Sequence, residues 1–250
     1  MDKAELVIIG AGPGGYAAAF LAADMGMKVT LIDKEKNPGG VCLYRGCIPS
    51  KALLHVAKLI NETKEASNWG IEFSEPKIDL KKLRDWKSSV VLNLTGGLGM
   101  LSKQRKINFV EGTASFKDSN TLTVKLKSGK TEELKFDNSI VATGSRIATI
   151  PSLNIKSKRL LNSTTALNLP AIPKSLLVVG GGYIGLELGS VYNALGSKVS
   201  VVEMTPGLLP GADRDLVSFL SRRIKENFDE VMLNSKVVEM KSVSQRMKNG

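Results

Sequence analysis

The sequence is poor in several residues that carry chemistry: its 250 residues include two cysteines, one histidine and two tryptophans. It has no apolar run near the roughly 20 residues that a membrane-spanning helix needs, which indicates a soluble globular chain of one or two domains. The first residues carry an acid on each side of Lys3 and a short apolar run that glycines interrupt. Because a secretory signal has a basic start and a longer apolar centre, we expect a cytoplasmic protein. In that reducing compartment two close cysteines more often serve redox or metal chemistry than a structural disulfide.

Positive charge is in excess, with a formal net charge of +11. The basic residues are nevertheless scattered, and their tightest groups lie at 103–106 and 221–225. Solvated helix faces explain such scattered charge better than a nucleic-acid interface does. We therefore expect neither nucleic acid nor a membrane as a partner.

One glycine pattern occurs twice, each time after a short apolar strand and before a helix. The pattern consists of Gly10, Gly12 and Gly15 in the first copy and of Gly180, Gly182 and Gly185 in the second. Asp33 follows Gly10 by 23 positions, and Glu203 follows Gly180 by the same 23 positions. A single G-x-G-x-x-G is weak evidence, but two copies with an acid at the expected distance predict two dinucleotide-binding units.

Each glycine has a separate role in such a unit. The first permits the tight turn from strand to helix, the second lets backbone amides approach a pyrophosphate, and the third lets the helix pack closely on the strand. The closing acid binds a ribose 2′-hydroxyl and repels a 2′-phosphate, so Asp33 and Glu203 argue against NADP. Glycine turns without a ligand are the alternative. The predicted fold class is α/β, with two Rossmann-like dinucleotide-binding domains that each contain a parallel sheet, plus a small antiparallel meander.

Both cysteines, Cys42 and Cys47, lie within the stretch GGVCLYRGCIPSK at 39–51. An ideal helix would hold residues five positions apart with Cα atoms about 8 to 9 Å from each other, whereas a disulfide needs about 4.4 to 6.8 Å. The segment must therefore be irregular or distorted, which its glycines and proline allow. Arg45 and Lys51 add positive charge that favours a thiolate. Metal binding is the alternative, although this spacing gives neither a C-x-x-C half-site nor a full ligand set.

These segments carry a family resemblance. The cysteine stretch, with GAGPGG at 10–15, VATGS at 141–145 and GGGYIGLE at 180–187, resembles the flavin disulfide reductases. Within that family the chain is similar to the NAD-linked dihydrolipoamide dehydrogenases over essentially its whole length. Further segments with this similarity are SKALLHVAK at 50–58, LTGGLGML at 94–101 and VVEMTPGLLPGADRDLV at 201–217. Tyr44 and Arg45 depart from the family pattern, in which a small polar or apolar pair is commoner.

The resemblance implies a set of site residues. Those that would hold FAD are Gly10, Gly12, Gly14, Gly15, Asp33, Lys34, Gly40, Val41, Cys42, Lys51, Ala114, Ala142, Thr143, Gly144 and Ser145. Those that would hold NAD are Gly180, Gly181, Gly182, Tyr183, Ile184, Gly185, Glu203 and Val237. The catalytic residues would be Cys42, Cys47, Lys51 and Glu187, with no metal.

The four catalytic residues would have different roles. Cys42 would be the interchange thiol that meets the substrate dithiol, and Cys47 would be the thiol stacked against the flavin. Lys51 would lie by the flavin ring and stabilise developing negative charge, and an ordinary surface lysine is its alternative. Glu187 would lie near the nicotinamide and Lys51, although the helix dipole alone also favours an acid there. The single histidine, His55, is interpreted as structural.

The activity that the resemblance implies is NAD-dependent oxidation of dihydrolipoamide carried on a transacylase of a 2-oxoacid dehydrogenase complex. A Cys42–Cys47 disulfide would take electrons from the dithiol and pass them through FAD to NAD. The resemblance also implies a homodimer for the full-length enzyme. It places the general base in an interface domain beyond this chain.

The predicted organisation follows the chain order. We predict an FAD domain at 1–147, a linker at 148–173 and an incomplete NAD domain at 174–250. Helices are predicted at 50–67 and 79–104, and the meander strands at 107–111, 121–126 and 131–136, before 140–145 returns to the flavin sheet. Residues 245–250 resemble a turn inside the NAD domain, so we expect a truncated chain. A noncatalytic FAD- and NAD-binding fragment, or a related flavin reductase with another disulfide substrate, is the alternative.

Overall fold

The computed structural model describes Met1 and residues 3–242, and strands and helices alternate along much of the chain. The strands are β1 (Ala4–Ile9), β2 (Val29–Asp33), β3 (Asn108–Phe116), β4 (Thr121–Leu126), β5 (Thr131–Val141), β6 (Ser175–Val179), β7 (Lys198–Val202) and β8 (Glu230–Met232). The helices are α1 (Pro13–Asp24), α2 (Gly40–Arg45), α3 (Cys47–Glu65), α4 (Leu80–Gln104), α5 (Ser163–Leu167), α6 (Tyr183–Ala194) and α7 (Arg214–Asn227). The turn predicted at 245–250 lies outside the described residues. None of the helices in the described part is long and apolar enough to span a bilayer.

The chain divides into two compact units. The first contains Met1–Pro49 and Asp85–Arg146, and the second contains Ser50–Arg84 and the chain from Ile147 onward. The boundaries between the units therefore fall inside α3 and α4, the two long helices predicted at 50–67 and 79–104. The predicted domains divide the chain by the ligand that each would bind, whereas the two units divide it by compactness. The domain boundaries remain a prediction.

The first unit is built on a parallel sheet. β1 pairs in parallel with β2 and β5, and β2 pairs in parallel with β3. β4 is antiparallel to both β3 and β5, which closes the five strands into one ring. Along β1, Leu6 and Ile8 belong to the core that contains α1 side chains, whereas Val7 and Ile9 belong to the core shared with β4 and β5. Both faces of β1 are thus covered, which explains its nearly continuous apolar sequence.

Two of the three meander strands, β3 and β5, are longer than the sequence predicted, whereas β4 has the predicted bounds. β5 pairs with β4 through Thr131–Lys135 and then with β1 through Phe136–Val141. The strand predicted at 131–136 and the return segment predicted at 140–145 are therefore joined in one strand. No glycine or proline interrupts TEELKFDNSIV, so nothing in its sequence ends the first pairing before the second begins.

The second unit contains a three-stranded parallel sheet in the order β6-β7-β8. Its core includes Tyr192 of α6, whose buried hydroxyl donates to the carbonyl of Ala166 at 2.9 Å. Burial raises the pKa of Tyr192 to about 12. Residues 148–173, predicted as a linker, contain α5 and place the fully buried Leu169 in this core. The segment therefore contributes to the stability of the second unit.

Candidate active site

The two glycine patterns form turns with the same backbone geometry. We call Gly10–Gly15 the first glycine loop and Gly180–Gly185 the second glycine loop. The N–H of Gly10 donates to Ile32 O, and the N–H of Gly180 donates to Val202 O, both at 2.8 Å. The φ angles of Gly10 and Gly180 are 98° and 102°, a region that favours glycine. Among the described residues no side chain caps the amino end of α1 or α6, so the first-turn amides of both helices can meet an anion.

The two closing acids fold back onto their glycine loops. Asp33 accepts one hydrogen bond from Ala11 N at 2.7 Å and another from Glu35 N at 2.9 Å. The corresponding donors to Glu203 are Gly181 N at 2.6 Å and Thr205 N at 2.7 Å. Because each carboxylate oxygen can accept further hydrogen bonds, both acids can also bind a hydroxyl of a ligand. The equal spacing in sequence was the only signal of this shared geometry.

A third backbone contact, which the sequence analysis did not predict, repeats in both units. The N–H of Gly39 donates to Ala11 O at 2.8 Å, and the N–H of Leu209 donates to Gly181 O at 2.8 Å. These two pairs are separated by the same offset as Gly10 and Gly180. The segment after each acid therefore returns to the glycine loop and closes it from the side.

The two loops differ in how tightly protein surrounds them. A Cβ atom added at Gly10 would lie 2.3 Å from Ala142 O, and one added at Gly40 would lie 2.5 Å from Gly12 Cα. A Cβ atom at Gly180 or Gly182 would meet no heavy atom of the described residues within 4 Å. Protein therefore packs closely against Gly10 and Gly40 in the first unit, whereas Gly180 and Gly182 have open space beside them.

The cysteine segment starts at the first glycine loop. Gly40, which packs on Gly12, begins α2, and Cys42 follows two residues later. Gly46 breaks the helix with φ −143° and ψ −112°, and Cys47 then begins α3. A Cβ atom at Gly46 would lie 3.2 Å from Cys42 Cα, so the residue before Cys47 packs directly on the backbone of Cys42. The distortion that the cysteine spacing required is present. Cys42 is half-buried and Cys47 is exposed.

Two further predicted residues are brought together in the second unit. Lys51 Nζ donates to Glu187 Oε1 at 2.6 Å, which joins α3 to the first turns of α6. The lysine side chain is 59% exposed and the glutamate side chain 27% exposed. Because Glu187 follows the second glycine loop by two residues, the ion pair holds the Lys51 amine beside that loop.

Tyr44 and Arg45 are held by the segment that joins Asp33 to the cysteines. The Arg45 guanidinium forms an ion pair with Glu35, and the Tyr44 hydroxyl donates to Asn37 O at 3.1 Å. The sequence analysis singled out both residues as departures but did not find these partners. Together with the Gly39–Ala11 hydrogen bond, the contacts attach α2 to the first glycine loop and its acid.

Comparison with known proteins identifies the family of this chain. The family model for pyridine nucleotide-disulphide oxidoreductases matches residues 4–249. The chain belongs to the pyridine nucleotide-disulphide oxidoreductase family. The match covers both glycine loops and the cysteine segment.

Relatives of this chain include curated bacterial proteins. A dihydrolipoyl dehydrogenase of Haemophilus influenzae is 48% identical over 240 residues, which are 96% of this chain and 50% of the relative. A dihydrolipoyl dehydrogenase of Geobacillus stearothermophilus is 43% identical over 93% of this chain and 49% of its own length. The chain thus spans about half the length of the curated relatives it matches. Among solved structures, the Cu(II) complex of the HOCl-induced flavoprotein disulfide reductase RclA from Escherichia coli matches with a TM-score of 0.81 and 29% identity, over 96% of this chain and 51% of that one.

The remaining predicted site residues lie at several places. Ala142 continues β5, and its N–H donates to Ile9 O at 2.8 Å beside the first glycine loop. Ala114 lies in β3 opposite Val124 and packs on the core under the meander. The exposed members of the predicted set are Gly14, Lys34, Val41, Thr143, Gly144, Ser145, Gly182, Tyr183 and Ile184. Val237 is half-buried and follows β8 outside any strand. His55 is exposed on α3, and no group of three metal-binding side chains occurs in the described part of the chain.

Glu203 should make the stability of the second unit depend on pH. The hydrogen bonds from Gly181 N and Thr205 N hold the pKa of the Glu203 carboxyl below its usual value of 4.5. The carboxylate therefore stabilises the fold above that value, and the contribution is lost as the pH falls through the lowered pKa. We expect Glu203→Gln to lower the free energy of unfolding at pH 7 by about 2 to 3 kcal/mol, the scale of a charge-assisted hydrogen bond.

Urea unfolding of both proteins from pH 7 to pH 3 measures this effect. The difference between wild type and Glu203→Gln should shrink as the pH falls below about 4.5. Glu226→Gln is a suitable control because Glu226 is exposed on α7. A difference that stays constant across this pH range would contradict the assigned role of the carboxylate.

Proposed function

We propose that this chain is the dinucleotide-binding half of a dihydrolipoyl dehydrogenase, with FAD at the first glycine loop and NAD at the second. The reaction would oxidise dihydrolipoamide on a transacylase of a 2-oxoacid dehydrogenase complex, in the cytoplasm and as a homodimer of the full-length enzyme. The observation that carries the proposal is the close packing of Gly40 on Gly12, because it starts the cysteine segment at a glycine loop. The similarity to dihydrolipoyl dehydrogenases at 43% to 48% identity supports the choice of substrate.

The residues at the first glycine loop fit a dinucleotide pyrophosphate. Gly12 ends the turn with no side chain of its own, and α1 presents uncapped first-turn amides. Gly10 leaves room for the Ala142 carbonyl, which keeps the return strand close to the loop. Asp33, half-buried at the end of β2, retains lone pairs for the adenosine ribose. The loop therefore offers backbone donors to phosphates and a carboxylate to a ribose, which is the recognition chemistry of FAD.

The residues at the second glycine loop fit NAD better than NADP. Glu203 is only 7% exposed, and its hydrogen bonds favour the charged form. A 2′-phosphate at this carboxylate would meet like charge, whereas a 2′-hydroxyl can donate to it. The space beside Gly180 and Gly182 leaves room for a pyrophosphate. Val237, which follows β8, would belong to the same site.

The two cysteines would oxidise the substrate dithiol by thiol–disulfide exchange. A dihydrolipoamide thiolate would attack a Cys42–Cys47 disulfide at Cys42, forming a mixed disulfide and releasing Cys47 as a thiolate. The second substrate thiolate would then attack the substrate sulfur of this mixed disulfide. This step forms the cyclic disulfide of lipoamide and releases Cys42 as a thiolate. FAD, when bound, would supply the two-electron chemistry that links the dithiol to NAD.

Lys51 and Glu187 form an ion pair within the second unit. The ion pair fixes the Lys51 amine, whose positive charge can stabilise negative charge that develops on a bound flavin. Glu187 would in turn lie near the nicotinamide. The assignment of residues 1–147 to FAD, 148–173 to a linker and 174–250 to NAD belongs to the same proposal.

The proposal can be tested with the natural polypeptide that contains these residues. Purified protein should carry FAD and reduce NAD when dihydrolipoamide is added. Oxidation of NADH by glutathione disulfide, without any by lipoamide, would instead identify a related reductase. Protein that binds FAD and NAD but transfers no electrons to either disulfide would identify a noncatalytic binding fragment.

Gly12→Ala and Gly182→Ala form a matched pair that separates the two binding sites. A Cβ atom at Gly12 would contact Gly40 Cα at 3.8 Å, an ordinary distance, and one at Gly182 would meet nothing described within 4 Å. Neither change should lower stability, but each puts a methyl group where a phosphate approaches. We expect Gly12→Ala to weaken FAD binding, and Gly182→Ala to weaken NADH binding, by about 10- to 100-fold, the loss of one or two hydrogen bonds to a charged group.

Flavin retention on dialysis and NADH titration calorimetry measure the two effects. Each variant serves as the control of the other, since each should leave the other nucleotide bound normally. Loss of NADH binding in Gly12→Ala with FAD retained would reverse the assignment of the loops.

A further inference from the structure

Arg214 makes an unusual set of contacts with the loop that precedes it. We call residues 204–213, between β7 and α7, the closing loop. Four hydrogen bonds run from the Arg214 guanidinium to three carbonyls of this loop: Leu208 O at 2.9 Å, Leu209 O at 2.5 Å, and Ala212 O at 2.9 Å and 2.7 Å. A guanidinium has five N–H donors, so the closing loop uses most of them. Among the described residues Arg214 forms no ion pair.

The position of Arg214 in its own helix does not favour a positive charge. Arg214 is the first residue of α7, where the helix dipole disfavours a cation. Gly207 leaves space for the side chain, because a Cβ atom there would lie 2.8 Å from Arg214 Nη1. The contacts of Arg214 therefore serve the closing loop rather than the helix.

The closing loop contains a residue in a strained conformation. Leu209 has a φ angle of 49°, in the left-handed region that residues with a Cβ atom rarely adopt. Its N–H donates to Gly181 O, and its carbonyl accepts from Arg214. Both backbone polar groups of Leu209 are thus fixed, one by the second glycine loop and one by the arginine.

The equivalent position in the first unit shows why an anchor is needed here. Gly39, which makes the same contact with Ala11 O, has a φ angle of 155° that glycine adopts at little cost. Leu209 has no such freedom, so its conformation persists only where its surroundings hold it. Unlike Gly39, Leu209 carries an apolar side chain, as does its neighbour Leu208. Leu208 is 1% exposed, and its Cδ2 would lie 2.7 Å from a Cβ atom added at Gly181, so it packs against the second glycine loop.

The closing loop also orients the closing acid. Thr205 N, in the same loop, donates to Glu203 Oε1, and the Thr205 hydroxyl donates to Gly207 O at 2.9 Å. A loop that moved would therefore change the position of the carboxylate that meets a ribose. The arginine, the strained leucine and the acid form one connected set of hydrogen bonds beside the second glycine loop.

We propose that Arg214 is a positioning residue for the adenosine half of the dinucleotide bound at the second glycine loop. It holds the closing loop in its binding shape before the ligand arrives, and its donors are used on carbonyls rather than on a 2′-phosphate. The inference rests on the proposed function of that loop as a nucleotide site.

Amide hydrogen exchange tests the anchoring without any ligand. We expect the Leu209 amide to exchange at least about tenfold faster in Arg214→Met than in wild type, because the loop opens more often. Arg222→Met removes the same charge from an exposed position of α7 and should change the exchange less than twofold. Arg214→Lys, which keeps the charge but offers fewer donors, should lie between them and is the variant to use if Arg214→Met does not fold. Unchanged exchange at Leu209 in both Arg214 variants would overturn the inference.

Nucleotide binding tests the consequence. ADP-ribose should bind about tenfold more weakly to Arg214→Met and normally to Arg222→Met, while FAD content stays unchanged. Equal weakening of FAD and ADP-ribose, or normal ADP-ribose binding despite fast exchange, would overturn the positioning role. Selective loss of 2′,5′-ADP binding would show that Arg214 is a phosphate ligand and also overturn it. Wild-type protein that binds no ADP-ribose would overturn the nucleotide site itself, whereas normal wild-type binding that Arg214→Met leaves unchanged would overturn the inference alone.

Discussion

Replacing Cys47 by serine is expected to abolish oxidation of dihydrolipoamide, with a rate at least about 10⁴-fold below wild type. In the proposed mechanism the disulfide would accept electrons from the substrate, and serine can neither form that disulfide nor leave from a mixed disulfide as a thiolate. The change is nearly isosteric and lies at an exposed first position of α3, so FAD content and stability should be retained. Steady-state reduction of NAD with dihydrolipoamide, together with the ratio of flavin to protein absorbance, measures both expectations.

Cys42→Ser should fail in the same assay, because both sulfurs are required for the disulfide. His55→Asn is the matched control on the same helix: His55 is exposed on α3, so its loss should change the rate by less than about twofold. A large loss of activity in His55→Asn, with the cysteine variants still active, would replace the thiol mechanism by one that uses the single histidine as a base. Substantial turnover in Cys47→Ser alone would show that Cys47 is not part of the electron route.

The parts of the site that the sequence predicted are those fixed by local spacing. Gly10 and Asp33 lie on one strand-turn-helix-strand unit, and a turn of that kind admits few residue types at each position. The same holds for Gly180 and Glu203, so one pattern predicted both loops. The distortion of the cysteine segment followed from the distance between Cys42 and Cys47 in a regular helix, which is also a local property.

The parts that the sequence did not predict depend on contacts between distant segments. Ala142 was assigned to the FAD site by the family resemblance alone: it lies beside Gly10 because β5 pairs in parallel with β1, and no spacing in the sequence encodes that approach. The left-handed conformation of Leu209 could not be predicted, because nothing in the sequence distinguishes this leucine from other apolar loop residues. Residues 50–84 belong to the second unit because Leu53 and Ala57 of α3 are buried in its core. The periodicity of the sequence predicts the helix but not the core in which it packs.

The close approach of β5 also sets the largest expected difference in stability between the two duplicated loops. Gly10→Ala is expected to lower the free energy of unfolding of the first unit by about 2 to 5 kcal/mol, which combines left-handed strain with overpacking. Gly180→Ala has the same backbone strain, since the two φ angles are 98° and 102°, but meets no described atom within 4 Å. It should cost the second unit only the strain, about 1 to 2 kcal/mol.

Differential scanning calorimetry should separate the two effects if the compact units unfold in separate transitions, and hydrogen exchange at β1 and β6 amides measures them otherwise. Gly14→Ala is the control for the first unit: a Cβ atom there meets nothing described within 4 Å, and alanine in a helix should add about 0.5 to 1 kcal/mol of stability. Equal losses of stability in Gly10→Ala and Gly180→Ala would mean that the Ala142 backbone moves away from the added methyl group without lowering the stability further. The return strand would then not be held against the first glycine loop, and the close packing there would not distinguish the two sites.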